Sequence, residues 1–575
     1  MAPTMRPQVV VQQVKLGGSR LARRNPCPTL LAREISRHAQ WASTSSKSRP
    51  TLAFLSSPIA AAKHRAPVRT YASERTKQWL RHEGRLLVRY AAISWIGAIA
   101  VFVIVYFVVE EQLERDFPTP HEWNWRCRKQ LRDAHKWTDP KHRPVNWAKS
   151  FELARNLCLL FEDPKLEGDK IPRLSDHEDV GGEVPWEFIP HDISGMSEEW
   201  RRGYFETIML AAKGAEHLDG WLRDVTRNCI SAPEYVIGPS NPRPKPIPPG
   251  APKAPREEDC EIAFPAADRY YLKILATKGL APRQRMEAAF EYANFIEWKQ
   301  RPEGADALYN LALAEATLGM DSSKLPYDPK TFVMKDGIAP PSLNVLDAIT
   351  SIANHKARSG DVNSALPIYI SLLKTRRSLP IEPPKGYLYR QQQHQRSMRQ
   401  EPWYRQVLSV FLPPDYPPPP PDGSQPPWRS TEERCQEAAL NVYIGEVLYA
   451  SNARDDGLAW TRDGVDIAEE QLRALPRNPA ATTKAVRAVR QTCRECLQTG
   501  LDNWSVMVTK LAQEEQRRRE KGASSAVSFW STKQPAEEGR WDAEGAVVKE
   551  RVRRTLELVE DVTPPNEGIV GWFKA

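Results

Sequence analysis

The feature that most constrains this chain is an uninterrupted apolar stretch near its N-terminus. Tyr90–Val109 reads YAAISWIGAIAVFVIVYFVV, twenty residues without a charged side chain. As an α-helix this stretch is about 30 Å long, which is the thickness of the hydrocarbon layer of a bilayer. Because the mean hydropathy of the whole chain is only −0.56, the sequence predicts one transmembrane helix and a large body outside the lipid.

The charges that flank this stretch are arranged asymmetrically. Five basic residues precede it: Arg75, Lys77, Arg81, Arg85 and Arg89. Four acidic residues follow it: Glu110, Glu111, Glu114 and Asp116. A basic flank stays on the side of the membrane from which a helix inserts. A buried core helix, which is the alternative, does not explain this asymmetry.

The N-terminal segment, residues 1–71, has the composition of a mitochondrial presequence. Its first 70 residues hold twelve Lys or Arg and one acid, Glu34, so they contribute +11 to a chain whose net charge is +9. Import signals are basic, rich in Ser and poor in acids, and Arg69–Ser73 resembles a matrix-processing site. The alternative is a basic tail on a cytosolic or nuclear protein, and the apolar helix that follows disfavours it.

These two segments predict the organisation of the whole chain. Residues 72–89 are a short matrix segment, residues 90–109 cross the mitochondrial inner membrane, and residues 110–575 form a domain in the intermembrane space. Outside the first 70 residues the net charge is −2, which leaves no basic footprint for nucleic acid. The expected contacts are with proteins and, through one helix, with the lipid bilayer.

Beyond residue 110 the chain has the pattern of a mostly helical protein. Apolar residues recur at i, i+3 and i+4 in segments that end near Gly, Pro or Asn. The predicted helices are His121–His135, Asn146–Phe161, Ser197–Cys229, Ala266–Thr277, Pro282–Gln300, Ala305–Gly319, Ser342–Ser359, Val362–Arg376, Thr431–Ala453, Asp456–Leu475, Ala480–Thr499, Leu501–Lys521 and Arg540–Val559. Two proline-rich segments, Gly238–Arg256 and Pro413–Pro427, are extended and act either as spacers or as ligands for an aromatic groove of a partner.

One stretch, Leu346–Pro380, indicates a helical repeat. With Gly360 at the turn between two helices, Ala353 and Ala365 fall where the helices approach and Tyr369 fills the core. This spacing resembles a tetratricopeptide (TPR) repeat. The predicted fold is therefore all-α, an α-solenoid of TPR-like pairs with proline-rich inserts, against the alternative of an irregular helical domain with accidental matches.

A second stretch, Asn441–Ile467, places Gly445, Leu448, Asn452 and Gly457 in the same register. It departs from the pattern at Thr461, where an aromatic residue is preferred. The helical pairs in 282–319 and 480–521 have no register that the sequence alone fixes.

No constellation of residues indicates catalysis. Cys493 and Cys496 form a CxxC pair within a helical pattern, whereas a redox site needs the motif at the start of a helix. Whether any cysteine pair is oxidised stays open. Phosphate-binding, metalloprotease and hydrolase motifs are absent from the sequence, and no second Cys or His pair completes a metal site. We therefore expect neither an enzyme, nor a cofactor, nor a metal.

The first helices of the two repeats are the predicted client-binding surface, since the first helix of a TPR lines its concave side. In the first repeat this register selects Thr350, Asn354 and Arg358. In the second it selects Val442, Tyr443, Glu446 and Tyr449. Ordinary packing or surface roles for these residues are the alternative.

The presequence, the single membrane helix, the proline-rich entry Phe117–Trp125 and the TPR-like body together resemble the TPR-containing adaptor subunit of the fungal mitochondrial i-AAA protease. The resemblance implies a non-catalytic protein of quality control that recruits unfolded membrane or intermembrane-space proteins to an inner-membrane AAA protease. The alternative is a TPR-type assembly factor or scaffold for a respiratory-chain complex.

The predicted topology is testable in isolated mitochondria. When the outer membrane is opened osmotically, added protease should degrade the domain that follows residue 110. Protection of that domain until detergent is added would show that the orientation is reversed.

Overall fold

The computed structural model describes residues 73–140, 144–163, 171–174, 186–247, 253–321, 324–337, 339–383, 416–476, 484–525 and 539–559. The predicted presequence, residues 1–71, lies outside them. The chain divides into two compact units. One comprises Phe117–Leu222 and the chain from Ile262 onward, and the other includes the helix before residue 117 and residues 223–261.

The described residues are mostly helical, as predicted. Their α-helices are α1 Glu74–Asp116, α2 Trp125–Lys136, α3 Trp147–Glu162, α4 Glu198–His217, α5 Ala267–Ala276, α6 Pro282–Trp298, α7 Pro302–Ala316, α8 Leu343–Arg358, α9 Val362–Arg377, α10 Thr431–Ala450, α11 Arg454–Ala474, α12 Lys484–Ser525 and α13 Arg540–Val559. From α2 to α13 each helix packs against the next in the chain.

Helix α1 runs without a break through 43 residues and contains the predicted Tyr90–Val109 segment. The side chains of Trp95 and Phe102 are each 71% exposed. Among the described helices, α1 is the one long and apolar enough to cross a membrane. Length and composition alone support that role.

The predicted helix Ser197–Cys229 is too long, because α4 ends at His217. Gly220 follows with a positive φ of 76°, which glycine adopts without strain. The chain then forms three short strands in the order β2-β1-β3, with β1 Leu222–Asp224, β2 Cys229–Ser231 and β3 Cys260–Ile262. Between β1 and β2 the Asp224 carboxylate accepts backbone N–H bonds from the turn, 2.9 Å from Thr226 and 3.0 Å from Arg227.

The two predicted helices on either side of Gly500 are a single helix, α12. Gly500 is a close-approach position and not a turn, because a Cβ there would lie 2.8 Å from the Cγ2 of Val465. On the same helix Cys493 forms a disulfide with Cys435 of α10 at a Cα–Cα distance of 5.2 Å. The second cysteine of the CxxC pair, Cys496, is a buried free thiol.

Three helical hairpins, α6–α7, α8–α9 and α10–α11, share one connection. Each has three residues between its helices, and the middle residue, Gln300, Gly360 or Asn452, has a positive φ of 60°, 90° or 73°. The residue after it donates its N–H to the carbonyl five residues back at 3.2, 2.9 and 3.0 Å. These are Schellman motifs, which end one helix and turn the chain into the next.

Small residues occupy equivalent positions around each of these turns. In each hairpin one small residue lies seven positions before the middle residue of the turn, and another lies five positions after it. These pairs are Ala293 and Ala305, Ala353 and Ala365, and Gly445 and Gly457. The four alanines are fully buried, and Gly445 and Gly457 are buried as well. The register that was predicted for two stretches therefore recurs in residues 282–319, where the sequence left it open.

A hydrogen bond from a tyrosine of the second helix to an asparagine of the first helix recurs in two of the hairpins. The Tyr309 hydroxyl donates to Asn294 at 3.1 Å, and the Tyr369 hydroxyl donates to Asn354 at 2.7 Å. Both pairs are fifteen residues apart. In the third hairpin the equivalent residue is Thr461, a buried side chain that donates to the Gly457 carbonyl at 2.9 Å.

We expect Gly457→Ala to destabilise the third hairpin. Its new Cβ would lie 2.6 Å from the Gly445 carbonyl oxygen and 2.7 Å from the Tyr449 nitrogen, and such overpacking costs about 1–3 kcal/mol. The matched control is Gly545→Ala in α13, where the nearest atom is 3.7 Å away and the higher helix propensity of Ala adds up to about 1 kcal/mol. Thermal melting of both variants measures the difference, and equal melting temperatures would contradict this account of the helix crossing.

Candidate peptide-binding groove

One face of α4 forms the floor of an open groove. Phe205, Met209 and Leu210 contribute its apolar surface and are mostly covered. Their spacing puts them on adjacent positions of the helix surface. Residues at the start of α6 form one side of the groove, and Pro419–Pro421 form the other.

The second side belongs to an extended segment, Tyr416–Gly423, here called the strap. Its five prolines, Pro417–Pro421, are all exposed. Consecutive prolines hold the backbone in a polyproline II helix. The sequence predicted an extended segment here, and the structure places it against α4 and α8.

The N-terminal end of the strap is held by Arg202 of α4. The guanidinium lies 4.1 Å from the centroid of the Tyr416 ring and donates to the Tyr416 hydroxyl at 3.1 Å. It also donates to the Pro417 carbonyl at 2.7 Å. Burial raises the pKa of Tyr416 to about 12, although Arg202 acts in the opposite direction, so the hydroxyl is neutral at physiological pH.

The C-terminal end of the strap is held by the first turn of α8. Asn344 donates its side-chain amide to the Asp422 carbonyl at 2.9 Å and its backbone N–H to the Gly423 carbonyl at 3.1 Å. The first backbone N–H groups of a helix have no partner within the helix, so the strap satisfies one of them. Gly423 has a φ of 71°, and a Cβ there would lie 2.8 Å from the Asn344 Cγ. This contact requires glycine.

Between these two ends the strap and α4 leave an open cavity of about 540 Å³. Cavities of this size accommodate ligands or several side chains. Apolar helix residues line one side and proline rings line the other, so the cavity suits an extended peptide with apolar side chains.

Two of the charged residues that line the groove have partners elsewhere in the chain. Arg201 donates to the Gly279 carbonyl at 2.8 Å, and Lys213 forms an ion pair with Glu291 at 2.8 Å. At the mouth, partial removal from bulk water raises the pKa of Glu287, with Lys213 opposing and Glu291 reinforcing that effect. The groove therefore has an apolar interior and a mixed, nearly neutral rim.

A densely charged cluster lies inside the same unit but has the geometry of a structural element. The Lys273 ammonium contacts both oxygens of Glu162 at 2.7 Å and the Glu187 carbonyl at 2.6 Å. Tyr204 donates to Glu162 at 2.9 Å. Because Lys273 and Glu162 are almost wholly buried, no substrate reaches them, and the pair ties α3, α4 and α5 together.

The residues predicted on α8 have internal partners. The Thr350 hydroxyl donates to a backbone carbonyl of its own helix at 2.7 Å, and Asn354 accepts from Tyr369. Arg358 is exposed and pairs with Glu297 at 3.0 Å. The structure brings these three residues to one helix, and client binding by them stays a prediction.

The residues predicted on α10 are mostly covered. Val442 is only 1% exposed and belongs to the core formed by α10 to α13. The Tyr443 ring lies 5.8 Å from that of Tyr369, and the Tyr449 hydroxyl donates to a backbone carbonyl of α12 at 3.3 Å. Glu446 is exposed. Binding through these four residues likewise stays a prediction.

Sequence reasoning missed the groove on α4. The available signal was an apolar face at Phe205, Met209 and Leu210 in a helix already predicted, together with a proline run far along the chain. Nothing in a linear sequence indicates that the proline run folds back over that helix, because their contacts are more than 200 residues apart.

Within the described residues no group of three or more His, Cys, Asp or Glu is placed to hold a metal ion. Comparisons with protein-family models, curated proteins and solved structures find no match for this chain.

Proposed function

We propose that this protein is a membrane-tethered adaptor that binds extended segments of other proteins. The observation that carries the proposal is the open apolar groove on α4, along one side of which an extended segment, the strap, is already held through donors to its backbone carbonyls. Recognition through carbonyls and general apolar contact is tolerant of sequence. That tolerance suits a protein that binds many unfolded clients.

The body that carries the groove is proposed to be a TPR-like array. The recurring hairpin supports this proposal. Each hairpin has a Schellman turn and two small residues at fixed distances from that turn, and a buried Tyr or Thr follows four residues after the second small residue. Such arrays present extended surfaces for peptides. Helix α6 of the first hairpin supplies Arg283 to the groove, and Arg283 donates to Asn344 and pairs with Asp347 of α8 at 3.0 and 2.8 Å.

The tether is proposed to be α1, crossing the mitochondrial inner membrane with residues 72–89 in the matrix and the body in the intermembrane space. Holding the groove at the membrane raises the effective concentration of bound clients near a membrane protease. The adaptor therefore needs no catalytic residue. In this proposal it recruits unfolded proteins to an inner-membrane AAA protease, in agreement with the resemblance drawn from the sequence.

Client binding can be tested with the detergent-solubilised chain and a reduced, carboxymethylated protein that cannot fold. Met209→Gln keeps the side-chain length but places an amide in the apolar floor. We expect it to weaken binding by about 1–2 kcal/mol. Leu272→Gln is the control, because Leu272 is 54% exposed on α5 and does not line the groove.

The same variants test client delivery in mitochondria. Loss of the protein should lengthen the half-life of a misfolded intermembrane-space client, and Leu272→Gln should restore turnover while Met209→Gln should not. Unchanged client turnover together with depletion of one respiratory complex would contradict the adaptor proposal and favour the assembly factor.

A further inference from the structure

The contacts of the strap indicate which chains the groove accepts. Within the described residues, every hydrogen bond between Tyr416–Gly423 and helices α4 and α8 has a strap oxygen as its acceptor. The donors are the Arg202 guanidinium and the amides of Asn344. The chain therefore donates each hydrogen bond that holds the strap against these two helices.

A run of prolines matches these contacts, because proline has carbonyl oxygens but no backbone N–H. The hydrogen bonds to α4 and α8 use strap oxygens and need no backbone N–H of the bound segment. A proline-rich segment can therefore make each of these contacts.

The spacing of the donors fits a polyproline II helix. From Pro417 to Asp422 the chain advances five residues, about 16 Å at the rise of this helix. Arg202 and Asn344 hold its two ends, while the central prolines contribute only ring surface. Since prolines are already fixed in this conformation, binding them orders little additional chain.

An aromatic residue at the start of the run adds a further specific contact. Arg202 both stacks on the Tyr416 ring and donates to its hydroxyl. Cation–π contacts of arginine with aromatic rings are directional. A ligand that begins with Tyr followed by prolines therefore reproduces the contacts seen at this end.

From these contacts we infer that the groove is a polyproline-binding site, that its clients include extended proline-rich segments preceded by an aromatic residue, and that the strap is its resident ligand. The client class rests on the proposed function. The site itself does not. The strap is held at its two ends and exposed between them, so a client segment competes with it for the same donors.

The test uses the full chain in detergent and a labelled peptide with the sequence of residues 416–425, YPPPPPDGSQ. In the strap-free variant, Tyr416→Ala is combined with an equally long glycine–serine linker in place of Pro417–Pro421. Fluorescence anisotropy should show that the peptide binds this variant. Binding to the wild-type chain should be at least tenfold weaker, because the tethered strap has an effective concentration in the millimolar range.

Two controls identify the surface and the ligand class. Arg202→Ala in the strap-free chain should weaken peptide binding by at least tenfold. A peptide with alanine in place of all five prolines should bind at least tenfold more weakly than YPPPPPDGSQ. A folded strap-free chain that does not bind the peptide, or binds it equally well after Arg202→Ala, overturns the inference, and so does equal binding of the alanine peptide.

If the strap-free chain does not fold, a second variant tests the same inference. Tyr416→Ala in the otherwise intact chain releases one end of the strap and should raise peptide affinity several-fold. No change there overturns the inference. The proposed function fails separately, if the unfolded client neither binds the wild-type chain nor is turned over faster in its presence.

Discussion

Close approach of two helices just beyond a tight turn is the constraint on which this body depends. A Schellman turn sets the angle at which the second helix leaves the first, and small residues on both helices let their backbones meet. Gly445 and Gly457 show the limit of this packing, since a Cβ on Gly457 would lie 2.6 Å from the Gly445 carbonyl oxygen. The same turn and the same pair of small positions occur in all three hairpins.

Two sets of polar contacts position α4 and the strap around the groove. Tyr204 of α4 donates to Glu162, whose buried pair with Lys273 joins α3 to α5, and a buried pair that loses one partner costs about 3–5 kcal/mol. Arg202 and Asn344 hold the two ends of the strap by its carbonyls. The apolar floor of the groove lies on α4 itself, at Phe205, Met209 and Leu210.

Much of the fold was predictable from local pattern, but the site was not. Periodicity located most helices, and the spacing around Gly360 located the small residues at one crossing. Gln300 concealed the equivalent turn in residues 282–319, because glutamine, unlike Gly360 or Asn452, is not a residue type that indicates a positive φ. Gly500 led to the opposite error, a helix end predicted inside α12. A sequence does not distinguish a glycine that permits close helix packing from one that ends a helix. The groove depends on contacts between segments remote in sequence, which periodicity does not report.

The central claim is that clients bind to the groove on α4 in place of the strap, and photo-cross-linking tests it most directly. A benzophenone side chain in place of Glu287, which is exposed and lines the groove, is compared with the same group at Leu272 on α5 and at Glu446 on α10. The account predicts that an unfolded client cross-links at position 287 and is displaced by the YPPPPPDGSQ peptide, with little product at the other two positions. Cross-linking that is strongest at position 446, or equal at 272 and 287, would contradict it.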